Sequence, residues 1–200
     1  MDRFVIFIIS YMRPDRQYTL KMLTKKGYTG DWYIVIGEDD PMKGEYLKRY
    51  GDRVLVFDKR DYRWIDLYDT DEDLVSTIFA RNAVYDLAEK LGYEYFFIVD
   101  DDIEDVRFSQ GCVSNKKDVS LDRSLGILLD FYRKTKVDVL GISQTGDFIG
   151  GKTQWRELNF EEVRQRKAMC FMRFNRTMLG LQRRYFALRL LFRRVSIALC

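Results

Sequence analysis

The chain has no histidine among its 200 residues. That removes every catalytic arrangement built on an imidazole base and every histidine-ligated metal, since no other unperturbed side chain titrates near neutral pH. Chemistry must run on carboxylates, arginines, hydroxyls and backbone groups. Cysteine is scarce: Cys112, Cys170 and Cys200 have neither the number nor the spacing of a disulfide framework or a zinc site, so a reducing, cytoplasmic setting is expected. Long apolar runs are missing too. Met1-Asp2-Arg3 leads straight into FVIFIIS, which is too short for a signal peptide or a membrane span.

What is present is a large apolar fraction, 46% of the residues, enough to bury the core of one domain. The net charge of +3 conceals an asymmetry, because residues 151–200 carry 12 Lys and Arg against 3 Asp and Glu, while residues 1–150 are net acidic. A basic terminal stretch suits a polyanion, nucleic acid or a membrane surface, and equally suits solvated helix faces.

Apolar runs and turn residues divide the chain into alternating elements. FVIFII at 4–9 reads as a strand covered on both faces. Pro14 and Asp15 then predict a helix start, with Leu20 and Leu23 on its apolar face and Gly27 as its stop. WYIVI at 32–36 and RVLVF at 53–57 are the next strands, and 58–73 reads as a loop. Thr70 and Asp73 have the spacing of a capping box ahead of a helix carrying Val75, Phe79, Ala83, Leu87 and Leu91, closed by Gly92. YEYFFIV at 93–99 is the fourth strand. A helix at about 121–134, a strand at 137–143, a glycine-rich turn over 146–151 and a strand in AMCFMRF follow. Strands alternating with helices predict an α/β fold, a mostly parallel central sheet with helices on both faces. Ligands in such sheets bind outside the carboxyl ends of the strands.

At that edge stand Asp100, Asp101 and Asp102, directly after FFIV. Neighbouring carboxylates raise one another's pKa, so three in a row need a compensating cation. On an extended segment Asp100 and Asp102 face one way and Asp101 the other. A divalent ion with oxygen ligands, Mg²⁺ or Mn²⁺, held by Asp100 and Asp102 and bridging to substrate phosphates, answers the repulsion. The competing reading is an acidic turn in solvent.

Other polar groups share the edge. Ser10, Tyr11 and Arg13 follow the first strand, where a phosphate or nucleobase can approach. Glu38, Asp39 and Asp40 follow the second, where a carboxylate can accept from ribose hydroxyls or a base N–H. Arg81, beside Asn82 in the helix, offers a planar fork to phosphate or pairs with an acid. With Asp100 and Asp101, these make the nucleotide-binding candidates Ser10, Arg13, Glu38, Asp39 and Arg81.

FIISYMRP, IGEDDP with Tyr46 shortly after, ARNAVYDLAEKLGYEYFFIVDDDI, and Gly150-Gly151 with KAMCFM resemble nucleotide-sugar glycosyltransferases of the GT-A type, a Rossmann-like architecture. Within that type the chain is most similar to the TET-associated glycosyltransferases of phages, over residues 4 to about 180. The resemblance implies a UDP-sugar donor such as UDP-glucose, a divalent metal on the DxD motif Asp100–Asp102, and transfer of a hexose to a 5-hydroxymethylated pyrimidine in double-stranded DNA. It puts Asp102 on the metal, Asp100 on ribose or a metal-bound water, and Ser10, Arg13, Glu38, Asp39 and Arg81 around the uridine diphosphate. Arg81 then also neutralises charge on the leaving group.

The resemblance also implies a second acidic stretch further on, which this chain lacks. If the sugar carbon is inverted, Asp147 is the candidate base; if configuration is retained, none is needed. Residues 181–200, LQRRYFALRLLFRRVSIALC, have five arginines and no acid, and read as a basic amphipathic helix appended to a domain at 1–180, packed on it or lying on a membrane. Two other functions fit parts of the pattern. A nucleotidyltransferase would use the strand-end carboxylates, though SYMRPDR lacks the glycines of a phosphate loop. A non-catalytic DNA-binding or scaffold domain would use only the basic end.

Overall fold

The computed structural model describes residues 4–65, 77–106, 108–109, 116–117, 120–134, 139–142, 170–175 and 195–198. The apolar runs form the strands β1 (Phe4–Ile9), β2 (Asp31–Gly37), β3 (Val54–Phe57) and β4 (Tyr95–Asp100). All four are parallel, in the spatial order β3-β2-β1-β4. Phe108–Ser109 (β5) and Lys116–Lys117 (β6) pair as a separate ribbon. Beyond β4 the sheet continues through β8 (Cys170–Asn175), β7 (Val139–Ile142) and β9 (Val195–Ala198), with only β8 running antiparallel to its neighbours.

Alternation along β1 feeds two cores. Val5, Phe7 and Ile9 pack on one face with Phe96 and Ile98, beneath α3 (Ile78–Lys90) and the 3₁₀ turn at Lys59–Ile65. Ile6 and Ile8 pack on the other with Phe97 and Val99, beneath α1 (Tyr18–Lys25), α2 (Lys43–Tyr50) and α4 (Leu121–Lys134). The sheet is thus covered on both faces, which is why β1 is apolar at every position. The predicted α/β class with a mostly parallel sheet holds. Among the described residues no helix is long and apolar enough to cross a membrane.

Four readings need correction. The helix predicted from Pro14 starts only at Tyr18, because the intervening segment is tied down by tertiary bonds: Tyr50 Oη donates to the carbonyl of Pro14 at 2.6 Å, and Arg13 N–H donates to Tyr46 Oη at 2.9 Å. The loop read from residue 58 includes the 3₁₀ turn, whose Tyr62 stacks edge-on against Phe57 and donates to Asp86 at 2.7 Å. Helix α2 was not foreseen, since Tyr46 is its one buried residue and KGEYLKRY shows no apolar stripe. The helix read over 181–200 is overturned at Val195–Ala198, which form β9 in parallel register with Val139–Ile142; β-branched Val195 and Ile197 suit a strand. The capping box, Val75, the turn at 146–151, Asp147 and residues 181–194 lie outside the described residues.

Helix α3 ends as its sequence predicts. Gly92 adopts φ +75°, its N–H reaches the carbonyl of Glu89 at 3.0 Å, and Tyr93 N–H reaches Ala88 at 2.9 Å, the paired bonds of a Schellman cap. An added Cβ at Gly92 meets no atom, so only backbone strain opposes a side chain there. Gly92→Ala is expected to destabilise the fold by about 1 kcal/mol. Gly44→Ala, inside α2 with open space around it, is expected to stabilise by about 0.5–1 kcal/mol. Urea unfolding of both variants checks the opposite signs.

Candidate active site

β1 is the point where the strand order reverses, with β2 and β3 on one side and β4 on the other. At such a switch point the connections leave in opposite directions and a crevice opens between the carboxyl ends of the two strands. Register places Ile9 opposite Asp100, so the next residues, Ser10 and Asp101, meet across that crevice.

They do so by a hydrogen bond of 2.5 Å from Ser10 Oγ to Asp101 Oδ2, in a setting where Ser10 is 6% and Asp101 5% exposed. Since Ser10 has one proton and gives it to Asp101, Tyr46 Oη, 2.6 Å away, must donate to Ser10. Tyr46 in turn accepts from Arg13 N–H, and Gln17 Nε2 donates to Ser10 Oγ at 2.8 Å and to the Arg13 carbonyl at 2.9 Å. The bonds run in one direction, from the β1 loop to the carboxylate. Arg13 Nη1 lies 3.4 Å from Asp101 Oδ1 and supplies the opposing charge. Burial raises the Asp101 carboxyl above the ordinary range and the negative charge of Asp102 adds to this, while Ser10 and Arg13 oppose it. Burial likewise raises the Tyr46 hydroxyl.

The same loop is anchored a second time. Asp40, 4% exposed, accepts from Met12 N–H at 2.9 Å and Met42 N–H at 2.8 Å. Met12 has φ +56°, a left-handed conformation that costs a non-glycine residue free energy and persists because its amide is held. On the other side of the crevice Thr19 Oγ1 donates to the Asp100 carbonyl at 2.5 Å and accepts from Ile103 N–H at 2.9 Å, while Thr19 N–H donates to the Asp101 carbonyl at 3.1 Å. Both ends of the aspartate turn are therefore set by the first turn of α1.

The three aspartates divide as the alternation predicts. Asp101 alone turns inward. Asp100 is partly buried, with Arg81 Nη2 at 2.9 Å from its Oδ1. Burial raises its carboxyl, Arg81 opposes that, and Asp102 raises it further, so the outer two carboxylates repel. Asp102 is exposed, and among the described residues nothing hydrogen-bonds or ion-pairs with it. Among the described residues no three acidic, cysteine or histidine side chains converge on one point. Two hard oxygen donors still fit Mg²⁺ or Mn²⁺, which keep water and take substrate phosphate oxygens for the rest of their shell.

Of the other candidates, Glu38 is paired with Lys43 at 2.5 Å and Asp39 with Lys59 at 2.8 Å, both with side chains more than half exposed at the end of β2. Lys59 also stands over the Tyr11 ring, 5.2 Å from its centroid. Ser10, Arg13, Arg81 and the aspartates are gathered at the crevice. Tyr46, Gln17, Thr19 and Asp40 complete it; the sequence marks Tyr46 only within the family resemblance and gives no role to Gln17 or Thr19, and Asp40, read as an acid facing a ligand, instead accepts from the backbone of Met12 and Met42. Asp40 had a visible signal as the third acid after β2.

A switch-point crevice with two outward carboxylates and an arginine places the chain among the open α/β folds that bind ligands at the carboxyl ends of their strands. The family model for TET-associated glycosyltransferases matches residues 4–191, and the chain belongs to that family. No curated protein sequence matches it. Among solved structures it is similar to a 1–349 fragment of S. aureus TarS, with 14% identity and a TM-score of 0.48, and to another S. aureus TarS structure, with 15% and 0.49. The alignments cover 98% of this chain in both cases, but 58% and 35% of the respective TarS chains.

Removing the Asp101 carboxylate leaves the buried Ser10 hydroxyl and the chain behind it without their acceptor, so Asp101→Ala is expected to cost about 2 kcal/mol. Asp102→Ala, at an exposed turn, is expected to change stability by less than about 0.5 kcal/mol. Chemical denaturation of the pair separates the inward carboxylate from the outward one.

Proposed function

We propose that the chain is a divalent-metal-dependent glycosyltransferase that moves a hexose from a UDP-sugar to a hydroxyl acceptor, the 5-hydroxymethyl group of a pyrimidine in double-stranded DNA. The observation that carries this reading is the placement of Asp100 and Asp102 at the carboxyl end of β4, at the switch point, with Arg81 at 2.9 Å from Asp100. Membership of the TET-associated family supports it.

In this reading Asp100 and Asp102 hold Mn²⁺ or Mg²⁺. The bound ion would supply electrostatic stabilisation of the departing diphosphate. Arg81 presents its fork to the same phosphates from α3. Ser10 and Arg13 form the floor beneath the diphosphate, with their positions set by Tyr46, Gln17 and Asp101. Glu38 and Asp39, at the end of the neighbouring strand, accept from ribose or the uracil ring once Lys43 and Lys59 give way. For an inverting transfer Asp147 takes the acceptor proton. The basic residues of 151–200 meet the DNA backbone, where charge gives affinity but not sequence choice. A cytoplasmic setting, in the host if the chain is phage-encoded, goes with a nucleotide-sugar donor and a DNA acceptor.

The test is transfer of labelled glucose or galactose from the UDP-sugar to a duplex containing 5-hydroxymethylcytosine. Transfer that requires Mn²⁺ or Mg²⁺ and falls on the order of a hundred-fold or more in Asp102→Asn is expected. DNA binding with no transfer to any hydroxymethylated duplex would favour the scaffold reading instead.

A further inference from the structure

Asp100 is the carboxylate that the proposed function gives to a divalent ion, and it already carries a cation. Arg81 Nη2 stands 2.9 Å from its Oδ1, with the Arg81 side chain mostly buried and that of Asp100 37% exposed, so the carboxylate keeps an open side toward solvent. Arg81 projects from α3, a helix packed on the sheet through Phe79, Ala83 and Val84, so the root of its side chain is fixed within reach of Asp100 while the guanidinium can turn to another partner.

Two consequences follow from charge. A divalent ion that binds Asp100 and Asp102 by itself must share Asp100 with a like charge already paired to it, which opposes its binding. A diphosphate reverses the sign, because its negative charge offers the guanidinium a new partner and neutralises the repulsion between the two cations. We propose that Arg81 couples the two ligands of this site, competing with the divalent ion for Asp100 when the ion comes alone and favouring it when a nucleoside diphosphate comes with it. The proposal rests on the donor-site reading above and adds to it a reason for metal and nucleotide to enter together. Because such coupling is reciprocal, the metal raises nucleotide affinity by the same factor as the nucleotide raises metal affinity.

Binding of Mn²⁺ to the full chain, read by loss of the free-ion paramagnetic resonance signal, is measured with and without UDP for the wild type, Arg81→Met and Arg81→Lys, with a thermal melt of each variant to verify folding. Arg81→Met is expected to bind Mn²⁺ alone about ten-fold more tightly than the wild type and to lose about ten-fold of the enhancement by UDP, keeping the part that direct coordination of phosphate oxygens by the ion supplies. Arg81→Lys keeps the charge but not the fork, and is expected to bind Mn²⁺ alone as the wild type does while showing a reduced UDP enhancement. Unchanged Mn²⁺ affinity in Arg81→Met, or an undiminished UDP enhancement, overturns the coupling and leaves the donor site standing. If Arg81→Met does not fold, an undiminished enhancement in Arg81→Lys overturns it. Absence of both Mn²⁺ and UDP binding in the wild type overturns the donor-site reading and the coupling together.

Discussion

A buried hydrogen bond, Ser10 Oγ to Asp101 Oδ2 at 2.5 Å, ties together the side chains that stand at the ends of β1 and β4, the two strands between which the crevice opens. It carries on, beyond the last ladder pair of Ile9 with Asp100, the pairing of two neighbouring parallel strands. The bond is strong because its acceptor is charged and the site excludes water. Through Ser10 it fixes Tyr46 and Gln17, and through Tyr46 the backbone of Arg13, while Thr19 separately holds both carbonyls of the aspartate turn. The outward direction of Asp100 and Asp102 follows from the inward direction of Asp101.

Three adjacent carboxylates therefore answer to three different environments. Asp101 is neutralised by the protein, Asp100 is matched by Arg81, and Asp102 is left to solvent. The fold tolerates the repulsion among them because only one of the three charges is fully withdrawn from water, and that one has a hydroxyl and a guanidinium facing it. The remaining acidic surface is directed at the place where a substrate and its metal would lie.

Much of the architecture was legible. FVIFII and FFIV are apolar at every position because both faces of their strands are covered, and this signal needs no knowledge of tertiary contacts. Helix α4 was found at 121–134 because Leu121, Leu125, Leu128 and Tyr132 repeat along one buried face. Pro14 misled, since local helix-start chemistry lost to the bonds that hold residues 10–17 across the strand ends. Helix α2 was invisible because a single buried tyrosine makes no periodic stripe. At the crevice, strand-edge reasoning points to Ser10, Arg13 and the aspartates, and the helix reading to Arg81, which the fold brings beside Asp100. It gives no role to Tyr46 or Thr19, whose partners lie 33 to 84 residues away in the chain, or to Gln17, whose partners Ser10 and Arg13 are near but whose amide carries no periodic or motif signal.

The proposed function makes the crevice between β1 and β4 a nucleotide-diphosphate site whose metal would rest on the outer two aspartates. Crystals of the chain grown with UDP and Mn²⁺ and measured at the manganese absorption edge test it most directly. The account predicts one anomalous peak between the carboxylates of Asp100 and Asp102, with the diphosphate beside it and Arg81 turned onto the phosphates. Manganese or nucleotide bound elsewhere, with Asp100 and Asp102 touching neither, would contradict it.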